Sequence, residues 1–150
     1  MPMIRLSSLS PLAFALALSS CAGGTANIPQ APPGTLPACS VGTQVQLSSP
    51  TAGSEGNPTN GGYVQIIVNA TTNVLDGQWN AMLLDYAGNF SQGGVFVPVA
   101  AGIQHPFANN KFYNATIPTL FPRDVYKVFL NKVTSKCQPA LVGAFSTNAG

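Results

Sequence analysis

Charge is the scarcest property of this 150-residue chain. Aspartate, glutamate, lysine and arginine make up 7% of it, where soluble domains ordinarily carry about 25%. Six positive residues stand against four negative ones, with a single histidine and a single tryptophan. Beyond Arg5 the positive residues are Lys111, Arg123, Lys127, Lys132 and Lys136, scattered over the C-terminal third. No basic stripe is there to neutralise a phosphate backbone, so nucleic-acid binding is not expected. The carboxylates Glu55, Asp76, Asp85 and Asp124 are equally dispersed. They offer neither an Asp-x-Asp calcium loop nor a pair on one face for glycoside cleavage. Long apolar runs are missing too. The stretch from Leu9 to Leu18 covers roughly ten residues, about half of what a membrane-crossing helix needs. No segment keeps a helical period over three turns.

What the chain does contain is neutral polarity, from Asn, Gln, Ser and Thr, with 15 glycines and 13 prolines. Apolar runs recur along its length, which argues against disorder. Such a composition suits a β-rich extracytoplasmic protein with neutral loops.

The N-terminal segment has one charge at Arg5, the apolar run Leu12-Ala13-Phe14-Ala15-Leu16-Ala17-Leu18, and then Ser19-Ser20-Cys21. These are the zones of a secretory signal. Leu18-Ser19-Ser20-Cys21 resembles a bacterial lipobox, the signal at which a lipoprotein precursor is lipidated and cut. The chemistry needs a cysteine because the thiolate is a nucleophile that a lipid donor can alkylate. The resemblance implies that Cys21 is the first mature residue, that it carries lipid, and that the membrane is its partner. Several acyl chains together anchor firmly where one is marginal. Ala22, rather than an aspartate, follows the cysteine, which in a Gram-negative envelope resembles the pattern sent to the outer membrane. The alternative is an ordinary signal peptide cut after Ala22, giving a free secreted protein. Residues 1–20 are therefore expected to be signal, 21–38 a lipidated cysteine with a Pro/Gly-rich linker, and 39–150 the domain. The prolines at 29, 32, 33 and 37 favour an extended linker.

With Cys21 assigned to lipid, Cys39 and Cys137 remain, and in an oxidising compartment they are expected to form one disulfide. Closing a loop of about 98 residues stabilises by roughly 4–5 kcal/mol in the chain-entropy model. Two free thiols are the alternative. A zinc site is not expected, since two cysteines and one distant histidine cannot complete a tetrahedron. No cofactor is expected.

Alternation of apolar and polar residues predicts strands at 41–47, 63–68, 79–84, 95–99, 111–117, 125–133 and 141–147. Pro98 marks 95–99 as an edge strand. The cluster 51–62 is nearly all turn-formers and predicts a loop. About seven short strands separated by turns predict an all-β, antiparallel sandwich. Within this frame Leu120-Phe121-Pro122-Arg123-Asp124-Val125-Tyr126 resembles the Leu-x-Pro-Gly-Thr-x-Tyr corner of fibronectin type III domains. The resemblance implies that Leu120, Pro122 and Tyr126 form a structural corner in which the tyrosine hydrogen-bonds back to the main chain. Arg123 and Asp124 replace the Gly and Thr of that pattern. Trp79, on the third strand, is more like immunoglobulin domains, so an immunoglobulin-like or fibronectin type III-like sandwich is expected. In such a sandwich Cys39 and Cys137 fall at the same end of the stack.

Catalytic chemistry finds little to work with. A nucleophile-base-acid set would have to combine His105 with a serine and Asp76, Asp85 or Asp124. No Gly-x-Ser-x-Gly elbow is present, and a solvated loop is the expected place for His105. Gly61-Gly62 and Gly93-Gly94 read as turn residues rather than phosphate cradles. Asn69, Asn89 and Asn114 match glycosylation sequons by letter only. Tyr86 and Phe90 are expected to pack internally; exposed, they would offer aromatics to a glycan or protein. The sequence therefore predicts a non-catalytic, envelope-anchored module for binding, adhesion or assembly, whose partner is an envelope protein or glycan. The alternatives are a carbohydrate-binding module using exposed aromatics and a small hydrolase using His105.

Overall fold

A computed structural model of the chain describes residues 36–150. The signal segment, Cys21 and the linker through residue 35 lie outside the described residues. Eight strands follow one another: β1 (Val45–Ser49), β2 (Gly62–Val68), β3 (Trp79–Leu84), β4 (Phe90–Val95), β5 (Val97–Val99), β6 (Lys111–Ile117), β7 (Val125–Lys132) and β8 (Ala140–Ser146). They form two antiparallel four-stranded sheets, ordered β1-β2-β6-β5 and β4-β3-β7-β8. The first sheet, together with β3-β7-β8, has the four-plus-three order of a constant-type immunoglobulin sandwich, and β4 is added beside β3. The expected β-sandwich is the observed fold.

The alternating residues face each other across the gap. Val64, Ile66 and Val68 of β2 and Ala115 of β6 meet Trp79, Ala81 and Leu83 of β3 and Val128 and Leu130 of β7. Leu47, Phe96 and Phe145 close the ends of this core. Trp79 sits on β3, where immunoglobulin sandwiches carry their buried tryptophan, and Lys132 lies 5.4 Å above its ring.

Eight strands are present where about seven were expected, because Phe90–Val95 is a strand of its own. Gly93 and Gly94 are not turn residues. They form a bulge in β4 where the register slips against Asn80 and Met82 of β3. A Cβ on Gly93 would come within 2.7 Å of the Thr116 carbonyl oxygen and 2.9 Å of the Ala81 Cβ, and one on Gly94 would overlap Thr116 Oγ1. Glycine is needed here because the strand is passing from one sheet to the other. Residues 90–95 pair with β3, Phe96 turns inward and is buried, and residues 97–99 pair with β6.

The opposite side of the sandwich is closed in the same manner. After β1 the chain leaves its sheet and runs beside β8, where Gly53 N–H donates to Ala144 O at 2.7 Å and Asn57 N–H to Ser146 O at 3.0 Å. Just before β8 begins, Gln138 pairs in parallel with Ala38. Both ends of the β8 edge are thus occupied by the chain itself, which limits the unpaired backbone that edge strands otherwise present.

Cys39 and Cys137 are bonded at this second contact, with Cα atoms 5.1 Å apart. The bond fastens the chain at the start of the described residues to the β7–β8 connection. At the other end of β7 the corner forms as its pattern implies. Phe121 N–H donates to the Tyr126 hydroxyl at 2.8 Å, and the buried Tyr126 ring stacks on Phe145 with centroids 5.9 Å apart. Leu120 is buried and Pro122 exposed. Arg123, which stands where the pattern has glycine, takes φ = 55°. The turn keeps its left-handed residue although the side chain has changed.

Candidate functional site

The outward faces of the two sheets differ in chemistry. On the β4-β3-β7-β8 sheet the outward residues of β3 are Asn80, Met82 and Leu84, and those of β7 are Val125, Lys127, Phe129 and Asn131. Opposite them stand Phe90 of β4 and Leu141 of β8. An antiparallel sheet with one wetted face normally alternates apolar inside with polar outside. Here the outward row is itself largely apolar. Phe90 is 59% exposed and Leu141 58% exposed, and the Phe90 ring meets Phe129 edge-on at 6.1 Å. Tyr86, on the turn before β4, is 87% exposed. Tyr86 and Phe90 therefore do not pack in the core as expected. The β3–β4 turn is tied at its base by Asp85, which accepts from Asn89 N–H at 2.7 Å, and it is joined to the β6–β7 corner where Tyr86 N–H donates to Asp124 Oδ1 at 3.1 Å. A shallow depression of about 200 Å³ between Glu55 and Val125 continues the apolar face to the β8 edge.

This face is interrupted by the exposed Lys127 and by a pair of amides. The Asn131 amide donates to Asn80 Oδ1 at 3.0 Å across β7 and β3. The Asn80 amide nitrogen is buried without a partner among the described residues.

The outward face of the β1-β2-β6-β5 sheet is built in rows. The first row, Ile67 and Phe112, is buried although it points away from the core. The connection between β5 and β6 folds over it. Gly102 lies so close to the Phe112 ring that a Cβ would be 3.2 Å from it, and His105 meets the same ring edge-on at 6.4 Å. The second row is polar, with Ser48 buried and Gln65 and Asn114 half-buried. Ser48 donates to Gln65 Oε1 at 2.9 Å, and Gln65 Nε2 donates to Asn114 Oδ1 at 2.9 Å. The third row begins with Tyr63, half exposed. A groove of about 320 Å³ lies over Ser48 and Gln65 of this ladder, with Asn114 just outside its lining. Ser48, Ser49 and Gln65 lie on its floor, Tyr63 at one side, and Gly102, Ile103 and Gln104 form the loop wall. None of these residues is charged.

His105 is exposed, as expected of a loop histidine, and borders a separate cavity of about 390 Å³ with Thr71, Asn109, Asn110 and Lys111. Neither a serine nor a carboxylate lines that cavity, so the structure does not bring His105 together with a nucleophile and an acid there. The groove residues escaped sequence reading because Ser48 and Gln65 come from two strands, and Gly102, Ile103 and Gln104 from a loop far along the chain. The signal was the run Ile66-Ile67-Val68, in which consecutive apolar residues mark a strand covered on both faces. No protein-family model matches the chain, and no curated protein is significantly similar to it.

Proposed function

We propose that the chain is a lipid-anchored, extracytoplasmic, non-catalytic binding module of the cell envelope, serving adhesion or assembly. The observation that carries the reading is the apolar outward face of the β4-β3-β7-β8 sheet. Phe90, Val95, Val125 and Leu141 are all exposed on one sheet, and contiguous exposed apolar side chains mark interaction surfaces in soluble domains. The anchor rests on Leu18-Ser19-Ser20-Cys21. The Cys39–Cys137 bond supports an oxidising compartment, where such bonds persist. The prolines at 29, 32, 33 and 37 favour an extended linker, which would set the domain at a distance from the headgroups.

Two measurements test the reading. Fatty-acid labelling is expected to mark the parent chain and not Cys21→Ser; label retained on the variant would refute the anchor. A photo-crosslinking residue at position 141 is expected to capture a discrete envelope component. The same residue at position 136, on the exposed β7–β8 connection, is expected to give none. Absence of any adduct from 141 in intact envelopes would refute the binding surface.

A further inference from the structure

We infer that the groove on the outward face of the β1-β2-β6-β5 sheet is a binding site for a neutral glycan chain. The inference rests on the binding-module reading and gives a second, separate surface its ligand class. Four observations on the groove converge.

The first is hydrogen-bonding capacity. The three polar groups of the ladder use two bonds among themselves, Ser48 to Gln65 and Gln65 to Asn114. A primary amide offers two donors and an accepting carbonyl, and a hydroxyl offers both roles. Asn114, beside the lining, spends only its carbonyl oxygen on Gln65, which leaves its amide protons without a protein partner at the margin of the groove. Reversing either amide would exchange donors for acceptors without using up the surplus. Sugar hydroxyls, each both donor and acceptor, match a row of this kind.

The second is the absence of charge. The groove lining holds no lysine, arginine, aspartate or glutamate. A phosphate, a nucleotide or an acidic peptide would lose its hydration here with no opposite charge in return. The third is the aromatic at the side. Tyr63 is 50% exposed, two residues along β2 from Gln65 on the same face. Its ring offers an apolar surface and a polar tip, which suits a pyranose with C–H groups on its face and hydroxyls on its rim. Ile103, 98% exposed on the opposite wall, adds a second apolar contact.

The fourth is position. The floor is β2 between β1 and β6, whose backbone groups are already paired on both sides. An extended peptide finds no free edge to join there. A purely apolar ligand would strand the ladder amides without water. A polymer of neutral sugars fits a groove that lies on an outward sheet face between Tyr63 and a loop wall.

The test is calorimetric titration of the purified full chain with hexasaccharides of glucose, N-acetylglucosamine and mannose. At least one is expected to bind, with an affinity unchanged between about 0.05 and 0.5 M salt because no charge is screened. Asn114→Ala and Tyr63→Ala are each expected to weaken it roughly tenfold, the scale of one lost contact. Gln65→Ala removes the middle of the ladder and is read alongside its melting temperature. Asn114→Asp keeps the shape and the Gln65 acceptor while removing the free donors, and it is expected to weaken binding as Asn114→Ala does. Lys136→Ala, on the exposed β7–β8 connection, is expected to leave binding unchanged. No binding of any hexasaccharide at about 5 mM, binding indifferent to Asn114 and Tyr63, or binding lost with salt would each overturn the inference. A crosslink from position 141 without saccharide binding would remove the glycan site and leave the binding module standing. Saccharide binding without that crosslink would do the reverse.

Discussion

Replacing Tyr126 by phenylalanine deletes one oxygen and keeps the ring, which isolates the contribution of the corner hydrogen bond. The hydroxyl accepts the Phe121 N–H at 2.8 Å, while the ring stays stacked on Phe145. A neutral hydrogen bond contributes about 1 kcal/mol net, and a stranded buried donor costs about 1–3 kcal/mol. Phe121 is exposed, so water reaches its N–H and the lower part of that range applies. The expected loss is about 1–1.5 kcal/mol, or about 4–6 °C in melting temperature for a domain of this size. Urea unfolding should show a lower midpoint with unchanged slope. Tyr126→Ala, which also removes the stacked ring, is expected to cost about 3–5 kcal/mol. Alkaline pH supplies an independent check. Burial pushes the Tyr126 hydroxyl above its ordinary value of 10.0, outweighing the Phe121 N–H, which favours the phenolate. A raised value in the fold means a contribution that is complete below about pH 10 and declines as pH rises through the raised value. Tyr126→Phe should lack that decline. A variant within about 0.3 kcal/mol of the parent would show that the crossover is pinned by other contacts, such as Thr147 Oγ1 to Phe121 O at 2.7 Å.

Reducing the Cys39–Cys137 bond, which spans 98 residues, is expected to cost up to about 4–5 kcal/mol and to steepen the urea slope as the denatured chain expands. A loss below about 1 kcal/mol would mean that the denatured chain is already closed there. At Arg123, with φ = 55°, glycine is expected to stabilise by about 0.5 kcal/mol and valine to destabilise by about 1–2 kcal/mol. Denaturation midpoints in the opposite order would refute the corner's need for a left-handed residue. Gly93→Ala should cost about 1–3 kcal/mol by overpacking, since its new Cβ would meet the Thr116 carbonyl oxygen; an unchanged melting temperature would show that β4 can move aside. Asp85 should titrate below 3.8 by NMR, chiefly because the Asn89 side chain and then its backbone N–H donate to it. Its contribution is then complete above about pH 3.8 and lost as pH falls through the lowered value, and a midpoint at or above 3.8 would contradict the turn geometry.

Most strands were legible because one face of each is wet and the other dry. Lys111–Ile117 has the bounds its alternation predicts, and the strand expected at 79–84 forms with Trp79, Ala81 and Leu83 pointing inward. The missed strand, β4, contains Gly93-Gly94, and two adjacent glycines read locally as a turn. Their purpose is tertiary: they let β4 approach Thr116 of another strand, and nothing within Phe90–Val95 announces that neighbour. Tyr86 and Phe90 were misplaced for a related reason. Aromatics usually pack inside, but here the tight Asp85–Asn89 turn leaves Tyr86 exposed and Phe90 resting on Phe129 of the outward face. The corner was legible despite Arg123 because Leu120, Pro122 and Tyr126 keep their spacing and the backbone tolerates a non-glycine there at modest cost.

The groove shows how an outward-facing surface acquires shape in a sandwich. Along β2 the outward residues are Tyr63, Gln65 and Ile67, and they differ in polarity because their covers differ. Ile67 is buried under the β5–β6 connection, together with Phe112. Gln65, one row further on, is where that cover stops. The wall is held in place by Phe112, against which Gly102 and His105 both rest. An apolar residue on an outward face therefore fixes the loop, and the loop turns a flat amide row into a groove. Sidedness within one strand, rather than any contiguous motif, locates the site, and Phe112 is a positioning residue for it although it makes no part of the lining.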